Sequence, residues 1–588
     1  MTDRLDSWKE IAAHLNRQVR TVQRWEKSEG LPIHRHIHAT RGTVFALKSE
    51  LDGWLHARTA PSSSPGSTST TPDSEASDQT STRSTAWLNP GRAVLATLAL
   101  ALAWFGIGNS SLLSSDSTPL KARIVVLPFR TLGTEPIEAA VSTGFLEEVI
   151  THLARLQPER LAVIGRTSAV RFGDAQRSPE EIGQELDVGY VVEGSLKRQG
   201  DRLRVTTRLL HVERGDLVWS EAFDLDGKDL FLAEQRVSQS VARGVGNKLL
   251  GVTAPLTTTS SVDPKAHDAL LRGRYLFHKG TGTGFRDSRV HFETALKLSP
   301  DLVEAHVGLA HAHNLLGRYG YLPPADTFPA GRAAAARALE LDPHCAEAHA
   351  SLALARFYFD WDFPEAARGF QRAIELAPGL ALAHHWYAHF LSAMGLHDEA
   401  IREVRVAQEL EPLWALITSD AAWFYYRARK FDQAIEASER ALEMEPGNTS
   451  AATCQASSLT RLGKPSEAWT ALRRYLVENE LLERIGARED GSPEECLDSY
   501  WRWARESIER ASKKGYVAPI NHAYAASASN GTDDALHWLE VGLETRDRGP
   551  LLTLVHPHFD GLRDDPRFQA IVDAVGFPED PTALLTPR

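Results

Sequence analysis

The stretch AIELAP, residues 373–378, decides the fold because four near-copies surround it: ALKLSP (295–300), ALELDP (338–343), AQELEP (407–412) and ALEMEP (441–446). Their prolines stand 43, 35, 34 and 34 residues apart. An alanine lies five before each proline (Ala295, Ala338, Ala373, Ala407, Ala441) and another ten after it (Ala310, Ala353, Ala388, Ala422, Ala456). Proline cannot continue a helix, and small residues at a fixed phase let paired helices approach closely. The period therefore predicts stacked helical hairpins over 263–478, the 43-residue interval absorbing an insertion near YGYLPPADTF. Residues 479–588 read as a divergent helical continuation, with pairs around 494–512 and 519–545. Residues 560–575 would form the polar-faced cap that a solenoid end requires.

Five copies agreeing in phase resemble tetratricopeptide repeats (TPR), covering at least 265–475. That resemblance implies an all-α solenoid with a protein or peptide partner in its groove.

Residues 121–250 change character. RIVVLPF (123–129) and LAVIG (161–165) read as buried strands, with the amphipathic helix FLEEVITHLARL (145–156) between them. Ser178 followed by Glu181 is a capping box opening a second helix. Three alternating runs, YVVEGSLKR, RLRVTTRLLHV and LVWSEAFDL, are separated by QGD and ERGD and read as a meander. A helix over DLFLAEQRVSQSVARGVGNKLL closes the α/β unit. IVVLPF (124–129), VIGRTS (163–168), VVEGSLKRQGDRLRVTTRLL (191–210) and WSEAFD (219–224) resemble the amino-terminal domain of TolB-like proteins, which implies a non-catalytic binding or sensory module. Arg166, Thr167 and Ser168 follow a strand's C-terminal end, so they form either a ligand-binding turn or a structural one.

At the other end, RQVRTVQRWEK (17–27) wound as a helix puts Arg17, Arg20, Arg24 and Lys27 on one face. Val19, Val22 and Trp25 form an apolar stripe opposite. Ser7 and Glu10 make a capping box for a preceding helix, Gly30 and Pro32 end the second, and GTVFALKSELDGWL gives a strand and a helix. Helix, turn, helix, hairpin wing and short helix is the layout of a winged helix-turn-helix, predicted over 1–58. The segment resembles the MerR and excisionase type, with Ser49–Leu55 as the helix after the wing. The resemblance implies DNA binding, with Arg17, Gln18, Arg20, Thr21 and Arg24 at base edges or phosphates and Lys27 at phosphate. Arg35 and Arg41 on the wing would brush the backbone or minor groove. The alternative is a solvated basic face on a protein-binding module. His34, His36 and His38 share one face of a strand and are read as wing side chains near phosphate or solvent rather than as metal ligands.

Residues 59–86 are dominated by Ser, Thr and Pro and read as a disordered linker, spanning about 29 Å r.m.s. as a flexible coil. Between Arg92 and Asp116 run 23 uncharged residues. A helix from Ala93 to Leu113 would be about 31 Å long, close to the hydrocarbon thickness of a bilayer. One transmembrane helix is therefore expected within 87–113, flanked by Arg83 and Arg92 on the cytoplasmic side. The other reading is a buried helix of a globular domain.

The 588-residue chain exceeds one core, and its net charge of −12 is unevenly spread. Residues 1–92 carry 12 basic against 10 acidic groups, leaving −14 for the remainder, so any polyanion-binding surface is N-terminal. Cys345, Cys454 and Cys496 lie far apart, without metal spacing, and read as buried small hydrophobes. No cleavable signal peptide is read at the start, and no Walker loop, nucleophile elbow, HExxH or kinase signature appears, so neither an enzyme nor a cofactor is expected. The histidines of the repeats (His306, His311, His313, His384, His385, His389) show no clear triad.

The expected architecture is multidomain: a small all-α winged helix-turn-helix, one transmembrane helix, a TolB-like α/β domain and a C-terminal all-α TPR solenoid. The expected function is a membrane-tethered one-component transcriptional regulator of ToxR-type arrangement, a single-pass protein of the inner membrane with a cytoplasmic N-terminus and extracytoplasmic C-terminal domains. Its partners would be DNA, the membrane, a protein or peptide in the groove, and a second copy of itself. The alternatives are an envelope assembly scaffold and a soluble cytoplasmic TPR regulator.

Overall fold

The chain, in a computed structural model, is described at residues 4–5, 11, 14, 31–36, 43–48, 51, 122–131, 137–173, 177–227, 229–252, 262–486 and 491–585. It forms two compact units, 1–111 and 112–588. In the first, strands β1 (Arg4–Leu5), β2 (His34–His36) and β3 (Thr43–Leu47) make an antiparallel sheet in the order β1-β3-β2. Across the β2–β3 pair, His34 faces Phe45, Arg35 faces Val44 and His36 faces Thr43. Among its described residues, Leu5, Ile11, Leu31, Ala46 and Leu51 are buried and apolar.

The second unit begins with an α/β domain. Strands β4 (Ala122–Val126), β5 (Arg130–Thr131), β6 (Leu161–Val163), β7 (Tyr190–Gln199), β8 (Arg202–His211) and β9 (Leu217–Asp226) form one sheet, ordered β6-β4-β7-β8-β9 with β5 beside β7. The buried β4 pairs in parallel with β6 and β7, whereas β7, β8 and β9 form the antiparallel meander that the alternating runs predict. Gly200 (φ +59°) and Gly215 (φ +65°) turn the two hairpins in the left-handed region that glycine enters without steric cost. Helices α1 (Ile137–Ala154), α2 (Arg166–Ala169), α3 (Pro179–Leu186) and α4 (Leu230–Val245) flank the sheet. Phe145, Val149, Val237 and Val241 pack with Ile124 and Val192, while Ile182 and Leu186 pack with Val125 and Val191. Ser178 and Glu181 make the reciprocal capping box at the start of α3.

The repeats follow as antiparallel pairs: α5 (Pro264–Phe277) with α6 (Gly282–Leu298), α7 (Val303–Arg318) with α8 (Pro324–Leu341), α9 (Ala346–Ala355) with α10 (Phe363–Leu376), α11 (Ala381–Ala393) with α12 (His397–Leu410), α13 (Ala415–Arg427) with α14 (Phe431–Met444), and α15 (Thr449–Arg461) with α16 (Pro465–Glu478). The prolines act as the period requires. Each second helix ends two residues before its proline, and the intervening residue turns extended, for example Ser299 at φ −137° and ψ 87° and Glu445 at φ −144° and ψ 91°. A following proline ring disfavours the helical region there. All five alanines before the prolines are 0% exposed, as are Ala310, Ala353, Ala388 and Ala422, so helix backbones meet where a larger side chain would separate them. The 43-residue interval is met by longer helices, 16 and 18 residues in α7 and α8 against 13 and 14 in α11 and α12. All three cysteines are buried.

Beyond the repeats lie α17 (Pro493–Ser512), α18 (Pro519–Ala528), α19 (Thr532–Glu544) and α20 (Pro566–Val575). The segment after α19 does more than end the stack. It returns along the turns inside the helical pairs. Arg548 donates to the Arg318 carbonyl (3.1 Å), Arg546 lies 4.0 Å over Trp361, and Phe577 stacks on Phe363 at 5.8 Å. Arg429 pairs with Asp560 (2.8 Å), and Arg461 donates to the Pro557 carbonyl. Leu551, Val575 and Leu584 are buried in the same core as Phe357, Phe370 and Trp386. Phe568, Ile571 and Val575 form the buried face of α20.

The expectation of a transmembrane helix is also corrected. Among the described residues no helix is long and apolar enough to cross a membrane. The longest, α17, carries Glu494, Glu495, Asp498, Arg502 and Arg505, charges whose transfer into hydrocarbon is prohibitive. Ala93–Leu113 itself lies outside the described residues, as does the linker 59–86. The single-pass inner-membrane placement and the tethered arrangement are withdrawn with it.

Candidate functional site in the repeat interior

Two sets of buried polar groups connect the α/β domain to the repeats and line the repeat interior. The first is a latch. Glu411, the residue between α12 and Pro412, turns its carboxylate onto the start of α2. Its Oε1 accepts from the Thr167 amide (3.0 Å), and its Oε2 from the Ser168 amide and hydroxyl (2.8 Å each). Ser168 Oγ in turn accepts from the Leu413 amide (3.0 Å), and the Gly165 amide donates to the Leu410 carbonyl (2.7 Å). Gly165 permits this approach, because a Cβ there would overlap the Glu411 side chain. The turn Arg166–Ser168, open between ligand and structure on sequence grounds, thus holds a carboxylate of the chain itself. Burial pushes the Glu411 carboxyl above its usual range, against the pull of Ser168 and Thr167.

Nearby, Glu147 on α1 accepts ion pairs from His278 (2.7 Å), Arg166 (3.1 Å) and Arg274 (3.4 Å), joining α1 to α5. Burial alone would raise its carboxyl, but these three hold it at about 2. Glu234 on α4 meets His267 on α5 at 3.0 Å, both nearly fully buried. Adjacent Glu148 has the opposite fate: burial pushes it up to about 7, the Glu304 and Glu234 carboxylates add to this, and Arg274 and Arg155 oppose it. A folded pKa above the unfolded value means that the contribution to stability is complete below about 4.5 and lost as pH rises through about 7. Glu148→Gln, which preserves an acceptor for the Gln235 amide (2.8 Å), should therefore raise the thermal midpoint at pH 8 and leave it unchanged at pH 4. Scanning calorimetry of wild type and variant at the two pH values checks this; equal shifts at both would refute it.

The second set lies on the first helices of the second, fourth and fifth pairs. Arg318 ends α7, His385 and His389 stand one turn apart on α11, and Asp420 lies on α13. Asp420 Oδ2 is 2.9 Å from both His385 Nε2 and His389 Nε2 and 3.2 Å from Arg318 Nη2. Arg318 Nη2 also approaches His389 Nε2 at 2.5 Å. Arg318 is 4% exposed, His385 1% and His389 6%. Arg318 Nε and Nη1 and His385 Nδ1 are buried without a hydrogen-bond partner. Burial lowers both imidazoles from their usual range, His389 well below it because Arg318 adds to the effect. Burial would raise the Asp420 carboxyl, yet His389 and Arg318 hold it ionised. Close by, Tyr426 and Trp423 of α13 pack on His556 of the returning strap at 5.6 and 5.5 Å.

The sequence reading missed this cluster, although a signal existed. Counting from the preceding proline, His385 is at position 7, Asp420 at 8 and His389 at 11, flanking the alanine at 10. Superposing the repeats by phase would have placed all three on one helix face. Of the residues expected to touch DNA, Arg35 lies in β2, opposite Val44. Arg17, Gln18, Arg20, Thr21, Arg24, Lys27 and Arg41 lie outside the described residues. His34 is exposed, His36 is in β2, and His38 lies outside the described residues.

With this geometry in place, comparison with known proteins adds one informative match. Residues 120–240 are similar to the family described as "HilA/YgeH-like transcriptional regulator, second domain". The α/β domain here thus resembles a part of transcriptional regulators. A protein of Rhizobium meliloti (strain 1021) named "Putative adenylate cyclase 3" is 26% identical over 240 residues, 40% of this chain and 40% of that relative. Among solved structures, the Thermus thermophilus TPR protein TTC0263 is 21% identical, covering 33% of this chain and 99% of its own, at TM-score 0.29. Pseudomonas aeruginosa pilF is 17% identical, covering 44% and 96%, at TM-score 0.27. MamA is 20% identical, covering 27% and 93%, at TM-score 0.25. At such scores the repeat fold rests on the helix pairs described above.

Proposed function

We propose that the chain is a DNA-binding transcriptional regulator whose α/β domain and repeats form a receiver for a protein or small-molecule signal. The observation that carries the reading is the likeness of 120–240 to a regulator's second domain, in a chain whose residues 17–27 have the pattern of a recognition helix. The β2–β3 hairpin, with Arg35 on it, supports a wing. Arg17, Gln18, Arg20, Thr21 and Arg24 would contact bases or phosphates, with Lys27, Arg35 and Arg41 on the backbone. Residues 1–58 carry 10 basic against 7 acidic groups, so one copy binds weakly and with steep salt dependence, and two copies are needed for a discrete site.

The receiver works as one body. The Glu411 latch and the Glu147 ion pairs make the α/β domain answer to any shift of α5 or α12. The strap covers the turns inside the pairs, so a protein partner meets the outer helices or displaces the strap. The relative named as an adenylate cyclase shares 240 residues and leaves most of both chains unmatched, which favours a receiver joined to different outputs.

Chromatin immunoprecipitation tests the reading. The wild type should enrich discrete sites, and the Arg20→Ala, Arg24→Ala variant should lose them, with a fall in affinity for such a site of about 30-fold or more. Equal enrichment by variant and wild type, or no discrete sites with either, would remove DNA from the proposal.

A further inference from the structure

We infer that His385, His389 and Asp420 form a binding site for a divalent transition-metal ion of the zinc class, buried in the repeat array. The ligand atoms converge on one point. Nε2 of His385, Nε2 of His389 and Oδ2 of Asp420 are 2.9, 2.9 and 3.2 Å apart. Four ligands about 2.0–2.1 Å from a tetrahedral ion stand about 3.3 Å from one another, so an ion enters with ligand shifts of a few tenths of an ångström once the Arg318 guanidinium moves off His389 Nε2. Two histidines four apart on one helix, joined by a carboxylate from the first helix of the next pair, give a rigid face with the ligand chemistry such an ion selects.

Hydrogen bonding alone leaves the arrangement frustrated. An imidazole nitrogen carries either one proton or one lone pair, in the plane of the ring. His389 Nε2 nevertheless has three polar neighbours at hydrogen-bond distance: Arg318 Nη2, Asp420 Oδ2 and His385 Nε2. It can satisfy one. A cation at the centre uses both ring lone pairs and the carboxylate together.

Arg318 defines the fourth position. Its Nη2 lies beside the ligands, 2.5 Å from His389 Nε2 and 3.2 Å from Asp420 Oδ2. A doubly charged ion with one carboxylate and one guanidinium leaves positive charge in a closed interior, so the fourth ligand is an anion that Arg318 also holds. The site would thus be filled by metal and a small anion together, chloride or a carboxylate being the simplest.

The test uses the full chain. After dialysis against zinc and removal of free ion, wild type should retain about one equivalent by elemental analysis, and cobalt in its place should give the intense visible absorption of tetrahedral coordination. Asp420→Asn, similar in shape, and His389→Ala should each lose that equivalent, whereas the His34→Ala, His36→Ala, His38→Ala variant should keep it. Added zinc should raise the thermal midpoint of wild type and not of Asp420→Asn, a comparison that holds even if His389→Ala folds poorly. No retained metal, an octahedral cobalt spectrum, or an equivalent lost with the His34 trio would each overturn the site.

Discussion

Asp420→Ala is expected to lower the stability of the repeat array by about 3–5 kcal/mol. The cause is the charge it strands. Arg318 is buried, and Asp420 is the carboxylate within ion-pair distance of it, at 3.2 Å. Removing one partner of a buried pair leaves the other uncompensated in a medium that solvates it poorly. Two imidazoles lose their acceptor at the same time. An Arg318→Met, Asp420→Ala double variant should recover much of the loss, because neither charge then remains buried alone. Urea unfolding followed by hydrogen exchange at α7, α11 and α13 measures this, and a loss under about 1 kcal/mol in the single variant would contradict it.

Glu411→Ala is expected to cost about 3 kcal/mol and to act on how the α/β domain is held rather than on the repeats. It strands two amides and a hydroxyl at Thr167 and Ser168, and each buried donor left unsatisfied costs about 1–3 kcal/mol. Glu411→Gln should lose less, since one amide oxygen still accepts. Exchange at residues 165–169 should quicken in the alanine variant while that of α14–α16 stays slow; uniform quickening would mean that the repeats themselves had loosened. Should the receiver reading hold, the same variant weakens the link between repeat movement and the α/β domain.

The two predictions differ in how much of their origin the sequence discloses. Pro378, Pro412 and their counterparts act on their own neighbours through φ and ring sterics, so their effect is legible in a short window. Ala295 and Ala338 are legible because the same contact recurs at a constant phase. The meander from Tyr190 to Asp226 follows from alternation and from Gly200 and Gly215. Glu411 instead reads as one more acidic residue in a helical repeat, since nothing local says that it will meet Ser168, 243 residues earlier. Arg318 and Asp420 are 102 apart and meet only after three pairs have stacked. Residues 560–575 read as an end cap because an apolar helix face says that it is buried, not against what. Ala93–Leu113 is read from hydropathy alone, and the described helices supply no membrane-crossing segment to accompany it.

A stack of helical pairs that touch only their neighbours can begin folding at any point and grow outward, each pair settling as it leaves the ribosome. The strap removes that freedom. Arg548 meets Arg318 across 230 residues and Gln371 meets Leu584 across 213, so the array closes only once Leu584 has been synthesised. Until then Trp361, Phe363 and their neighbours lack the cover they later receive, and the nascent protein carries an apolar seam that chaperones would recognise.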